Sequence, residues 1–300
     1  MKLSERISLA GVTETLEALM GKGEIAANQF RLPFNRQHWR GQSGNWAGAG
    51  IGSSIDFQDH RPYVPGDDPR YINWQAYART GSYSMKLYRE EVSPQVDLVI
   101  DTSESMFVDS AKVSCAIEFF YFACQSAWRT AALLNAFQIN GRKVEALSND
   151  AIRMGDWEVA EESREQTNHS DWSQIPWRAQ SLRVIVSDLL FDSDPEELLS
   201  ISGRGGACLL LFSPYTNAEE NPDWLGNLEL LDCESKERAR RYFTREDVDD
   251  YQRRYQEHFA LWQEAAIRHN ASLARMKAER DLADILLDET ARQGGVELCR

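Results

Sequence analysis

Gln95-Val96-Asp97-Leu98-Val99-Ile100-Asp101-Thr102-Ser103-Glu104-Ser105 sets a short apolar run directly against a loop of acids and hydroxyls. A run of that length with polar borders is the pattern of a strand buried on both faces. The arrangement returns at Leu182-Arg183-Val184-Ile185-Val186, which delivers Ser187-Asp188. Between them, residues 108–130 carry apolar side chains at helical spacing (Val113, Ile117, Phe120, Trp128), and 131–139 and 143–147 predict strands around Gly141. Further on, Asp194-Pro195-Glu196-Glu197 opens a helix with acids in its first turn. Residues 207–212 predict another buried strand, 244–269 a long amphipathic helix, 272–277 a last strand and 282–293 a last helix. Residues 148–181 are polar and show no clear period. Strands alternating with helices from 95 onward predict an α/β fold whose doubly wound, mainly parallel sheet is covered by helices on both faces.

In such a sheet, ligands sit beyond the carboxyl ends of the strands, where the strand order reverses. With 96–100 as first strand and 182–186 as fourth, the order 3-2-1-4-5-6 makes them neighbours, each ending in an aspartate. Two carboxylates facing one crevice repel unless a proton or a cation lies between them. Ser103 and Ser105, two residues apart in a tight loop, add neutral oxygens. Carboxylate, hydroxyl and water oxygens in octahedral array suit Mg²⁺ or Mn²⁺, so Asp101, Ser103, Ser105 and Asp188 are candidate metal ligands. Two competing readings stay open on the residues alone. Ser103 and Ser105 are also suitable helix caps, and Asp188 is also a suitable turn former beside Leu189 and Leu190.

Upstream, residues 1–23 predict an N-terminal helix closed by Gly21 and Gly23. Residues 24–93 predict a β-rich subdomain, its first part interrupted by Gly41, Gly44, Gly48, Gly50 and Gly52. The remaining 94–300 form the metal-binding domain. The subdomain carries Arg61-Pro62-Tyr63-Val64-Pro65-Gly66-Asp67-Asp68-Pro69-Arg70-Tyr71-Ile72-Asn73-Trp74, continuing to Arg79-Thr80-Gly81. Pro65-Gly66 suits the middle of a type II turn, proline fixing φ and glycine allowing positive φ. Asp67 and Asp68 can accept from backbone N–H groups or pair with Arg61, Arg70 and Arg79, under cover of Tyr71, Trp74 and Tyr77. A structural turn with a satisfied arginine network is the simpler reading; a docking surface is the alternative.

Asp101-x-Ser103-x-Ser105 resembles the metal-ion-dependent adhesion site (MIDAS) of von Willebrand factor A domains. That resemblance implies Asp188 as the aspartate of the fourth strand, and Thr167, or Ser170 in its place, as a hydroxyl from a middle loop. The Arg61-to-Thr80 stretch is similar to the bacterial domain-of-unknown-function family 58 (DUF58). There, R-x-Y-x-P-G-D-D-x-R-x-I-x-W-x-x-x-A-R-T leads into a D-x-S-x-S loop. The likeness runs from about Phe34 to Met106, with Asn73 standing where the family has aspartate. It implies a von Willebrand factor A-like fold and an accessory role beside a MoxR-type AAA+ ATPase, acting on an unidentified protein client in assembly or maturation.

Composition narrows the remaining choices. With 33 basic against 47 acidic residues the net charge is −14, a field that disfavours nucleic acid and anionic lipid. The start lacks an apolar leader and no stretch reaches the ~20 apolar residues of a membrane span, which points to the cytoplasm and to no membrane insertion. The five cysteines are scattered without a CxxC pair, and no phosphate-binding G-x-x-x-x-G-K-[ST] loop occurs. The expected activity is therefore non-catalytic, metal-dependent protein binding. The alternative is a Mg²⁺-dependent phosphohydrolase with Asp101 as nucleophile. That chemistry wants an acid two residues later, where this chain has Ser103.

Overall fold

The computed structural model describes residues 1–36, 43–51, 57–160, 171–191, 193–233 and 237–299, with backbone only at 36, 43–51, 57–59 and 87–92. The chain forms two compact units: Met1–Gln37 together with Gln95–Arg300, and His38–Pro94.

Six strands build the sheet of the larger unit: β1 (Gln95–Asp101), β2 (Leu133–Asn140), β3 (Lys143–Leu147), β4 (Leu182–Val186), β5 (Cys208–Tyr215) and β6 (Ser272–Lys277). Their order is 3-2-1-4-5-6, with β3 antiparallel to β2 and every other pair parallel. The mainly parallel, doubly wound α/β architecture expected from the alternating pattern is therefore present. Its longer helices are α1 (Leu3–Leu9), α2 (Leu16–Gln29), α3 (Ser110–Arg129), α4 (Pro195–Ser202) and α5 (Arg245–Arg268).

Alternation along the strands divides the core in two, because successive side chains point to opposite faces. Val99, Ile185, Leu211 and Leu273 join Leu198 and Leu199 of α4 and Trp262, Ala265 and Ala266 of α5 in one cluster. On the other face α3 lies on the sheet, its Phe119 ring 4.1 Å from that of Phe212. Burying a large apolar side chain of this kind contributes roughly 1.5–3 kcal/mol. Among the described residues no helix is long and apolar enough to cross a membrane.

Several expected boundaries move. The N-terminal segment is two helices, and Gly21 and Gly23 lie inside α2 instead of ending it. Gly23 is there because α2 presses on α3: a Cβ at this position would meet Glu118 O at 2.7 Å and Phe122 N at 2.8 Å. The expected break after residue 23 therefore falls within a helix. Residues up to 37 belong with the sheet unit, where Phe30, Leu32 and Phe34 are buried and Leu32 N donates to Ser126 Oγ at 2.8 Å. The C-terminal helix is shorter than its period suggested, Leu282–Ile285 continuing as one wide turn through Leu286–Thr290. An antiparallel hairpin, Gly226–Leu231 with Arg238–Phe243, was not anticipated.

The smaller unit is a three-stranded antiparallel sheet with Ser84–Val92 between Ser43–Ile51 and Phe57–Pro62, plus the helix Trp74–Thr80.

One polar residue inside β1 anchors the edge of the sheet away from the aspartate loops. Asp97 is fully buried. Its carboxylate accepts from Arg178 N (2.9 Å), Arg178 Nε (2.7 Å) and Ser181 Oγ (2.7 Å), while Arg178 Nη2 donates to Val96 O and Leu133 O. Removing one partner of a buried ion pair strands the other. Asp97→Ala is expected to cost about 3 kcal/mol or more in urea denaturation.

Candidate functional site

β1 and β4 are adjacent and in register, Ile100 opposite Val186, so the chain leaves both strands at the same edge. Asp101 is the last residue of β1, and Ser187-Asp188 follow β4 directly. Both aspartates are 3% exposed. The two carboxylates that the apolar runs were expected to deliver thus come out side by side, beneath the loop that carries Ser103 and Ser105.

Asp101 is held from both sides. Ser103 N donates to its Oδ1 at 2.9 Å and Ser187 Oγ to its Oδ2 at 2.7 Å. Ser103 begins a short 3₁₀ turn, Glu104–Phe107, but its hydroxyl caps nothing. The cap of α3 is Asp109, which accepts from Ala111 N and Lys112 N. With capping assigned elsewhere, the hydroxyls of Ser103 and Ser105 turn to each other at 3.1 Å. Asp188 does act as a turn former, Leu190 N donating to its Oδ1 at 3.2 Å, yet its second oxygen is engaged differently.

That second oxygen accepts from Lys112, a residue that sequence reasoning missed. Lys112 Nζ lies 2.7 Å from Asp188 Oδ2 and 2.6 Å from Glu219 Oε1, and the side chain is 1% exposed. Burial pulls its pKa down, but the Asp188 and Glu219 carboxylates outweigh burial and hold the ammonium charged. Glu219 is fixed in turn: its Oε2 accepts from Thr216 N at 2.8 Å, and its backbone carbonyl accepts from Tyr251 Oη at 2.8 Å. Three acids therefore stand beyond the ends of β1, β4 and β5, with one lysine from the first turn of α3 between the last two. The available signal was a lone lysine inside the apolar period of residues 108–130.

Ser187, also missed, links the strands. Besides donating to Asp101, its hydroxyl accepts from Leu189 N at 3.1 Å. Leu189 is buried with φ +59°, a left-handed conformation uncommon for a bulky side chain. His258 Nε2, 2.7 Å from Leu189 O, braces the same turn from α5.

Among the described residues, no group of three or more His, Cys, Asp or Glu side chains is arranged to hold a metal ion. The arrangement at Asp101 relies instead on hydroxyls, and the donor set fits a small hard cation. At metal–oxygen distances of ~2.1 Å, adjacent oxygens of an octahedron stand about 3.0 Å apart, close to the separation of the two serine hydroxyls. Thr167 and its substitute Ser170 lie outside the described residues.

The Arg61-to-Thr80 stretch forms a closed ion-pair turn within its own unit. Asp67 N donates to Val64 O at 3.0 Å across Pro65-Gly66, and Gly66 has φ +109°, as a type II turn requires. Arg61 grips Asp67 with two parallel bonds of 2.7 and 2.6 Å, and Arg70 grips Asp68. Hydrogen bonds from Arg61 and Val64 N hold the Asp67 carboxyl below its ordinary pKa. Tyr63 and Tyr77 pack against Tyr83. Trp74, expected as cover, is exposed and meets Tyr77 and Tyr83 edge-on. Arg79 is exposed and has no partner among the described residues, so it stands outside this network. Asn73 caps the helix Trp74–Thr80 through Ala76 N.

A family model described as "Protein of unknown function DUF58" matches residues 59–261, a span that includes the arginine turn, the Asp101 loop, Lys112, Asp188 and Glu219. No curated protein and no solved structure matches the chain.

The electrostatics of Asp101 yield a measurable consequence. Burial, then the charge of Asp188, push its carboxyl up to about 6, against hydrogen bonds from Ser187 and Ser103 that favour the ionised form. The unfolded chain releases this proton near the ordinary value of about 4. Between those values the folded state binds more protons, so stability falls as pH rises through the window. In EDTA-containing buffer, Asp101→Asn is expected to flatten the pH dependence between about 4 and 6. It should also stabilise the protein at neutral pH by on the order of 2 kcal/mol, read by denaturant titration.

Proposed function

The chain belongs to the DUF58 family, and from the loop at Asp101 we propose that it is a non-catalytic, metal-dependent protein-binding module of von Willebrand factor A type. The observation that carries this reading is the convergence of oxygens at one strand end: a buried carboxylate beside two hydroxyls at 3.1 Å that cap no helix. Support for the fold type comes from the sheet order 3-2-1-4-5-6 with an antiparallel β3 and the aspartates at its switch point.

Asp101, Ser103 and Ser105 would hold Mg²⁺ or Mn²⁺, with Asp188 as a further carboxylate and a hydroxyl such as that of Thr167 from the middle loop. The ion would supply an electrophilic coordination position, and with so few anionic ligands it would favour a carboxylate from a bound protein. The protein's own groups set the conditions. Ser187 and Ser103 N orient Asp101, Lys112 balances Asp188, and the strained turn at Leu189 fixes the direction in which Asp188 points. The family resemblance extends the proposal to a MoxR-type AAA+ ATPase partner and a protein client.

A phosphohydrolase using Asp101 remains the second reading, because a buried lysine of the kind that balances phosphate charge is present as Lys112. That lysine pairs with Asp188 and Glu219, however, and position 103 offers a hydroxyl where an acid/base is needed.

Calorimetry is expected to show Mn²⁺ binding to the wild type and none to Asp101→Ala; equal binding by both would remove the metal assignment. In native lysate the protein is expected to retain an AAA+ ATPase that EDTA, or Ser103→Ala/Ser105→Ala, releases. Phosphatase turnover abolished by Asp101→Asn would favour the second reading.

A further inference from the structure

We infer that Lys112 is a resident cation that competes with a divalent ion for Asp188 and sets the affinity of the site. This rests on the reading of the Asp101 loop as a metal site.

The geometry is that of a charge held between two carboxylates. Lys112 Nζ is 2.7 Å from Asp188 Oδ2 and 2.6 Å from Glu219 Oε1, wholly buried at the first end and opening toward the partly exposed Glu219 at the other. A buried carboxylate without a partner is costly, and here the ammonium supplies the partner. Asp188 already spends its Oδ1 on Leu190 N. The other oxygen lies against the Lys112 ammonium, so a metal ion that draws on Asp188 meets that positive charge, and like charges at this range repel strongly where water is excluded. Lys112 has somewhere to go, because Glu219 is fixed by Thr216 N and Tyr251 Oη in a position to keep it. Filling the metal site then shifts the ammonium from Asp188 toward Glu219. Occupancy is thereby coupled to a carboxylate at the surface beyond β5.

The discriminating experiment is a double-mutant cycle on the full chain, with Mn²⁺ affinity read by calorimetry and thermal stability measured with and without Mn²⁺. Lys112→Met is expected to tighten Mn²⁺ binding about tenfold or more in the wild-type background. In the Asp188→Asn background the same change is expected to have little effect, since the contested oxygen is gone. A gain of equal size in both backgrounds would mean that Lys112 acts only through its distant field, and it would overturn the competition; so would no gain in either. If Lys112→Met folds only when Mn²⁺ is present, that rescue follows from binding to the folded state alone, and Glu219→Gln decides. If it does not fold at all, Glu219→Gln decides there too. Weaker Mn²⁺ binding by that variant supports displacement toward Glu219, and unchanged binding overturns it. Absence of Mn²⁺ binding to the wild type overturns the metal site itself, whereas binding that Lys112→Met leaves unaltered overturns this inference alone.

Discussion

Two carboxylates buried at the ends of adjacent parallel strands repel one another, and the rest of the site is arranged around that repulsion. The sheet order leaves no choice about their closeness, because β1 and β4 are hydrogen-bonded neighbours and both chains turn out at the same edge. The protein answers in different ways for each. Among the described residues Asp101 receives two hydrogen bonds and no basic side chain, and burial together with the charge of Asp188 makes its carboxyl reluctant to ionise. Asp188 receives an ammonium. A site with one carboxylate compensated and the other waiting for charge is suited to take up a cation, and the hydroxyls of Ser103 and Ser105 supply the neutral oxygens that such an ion would need.

The supports of this arrangement lie mostly outside the loop itself. Asp109 caps α3, which frees the serines and fixes the first turn from which Lys112 reaches inward. Asp97, at the opposite end of β1, ties the strand to Arg178 and Ser181 and so fixes its position against β2 and β4. Helix α5 contributes Trp262 to the core and His258 to the turn after Asp188. The arginine turn at Arg61–Asp67 is satisfied internally, so its chemistry is that of a rigid structural element within its own unit.

The centre of the sheet was legible because β1, β4 and β5 are apolar runs, and burial on both faces leaves few polar positions to confuse the pattern. The aspartates at 101 and 188 were legible for the same reason, as the first charges after such runs. The type II turn at Pro65-Gly66 was written in two residues with restricted backbones. What was not legible depends on tertiary approach. Gly23 reads as a helix stop until α3 is seen pressing on it. Lys112 is a lone lysine inside an apolar period until β4 and the loop after β5 place two carboxylates at its head. His258 stands in a helix rich in charged residues, and only the fold brings Leu189 O beside it. No local pattern encodes any of these three contacts.

The central claim is that the Asp101 loop holds a divalent ion, and anomalous diffraction from crystals grown with Mn²⁺ tests it most directly. The account predicts a single strong peak within coordination distance, about 2.1–2.3 Å, of an Asp101 carboxylate oxygen and the Ser103 and Ser105 hydroxyls. It further predicts that the Lys112 ammonium moves away from Asp188 toward Glu219. No peak at that loop under saturating Mn²⁺, with Lys112 still seated on Asp188, would contradict it.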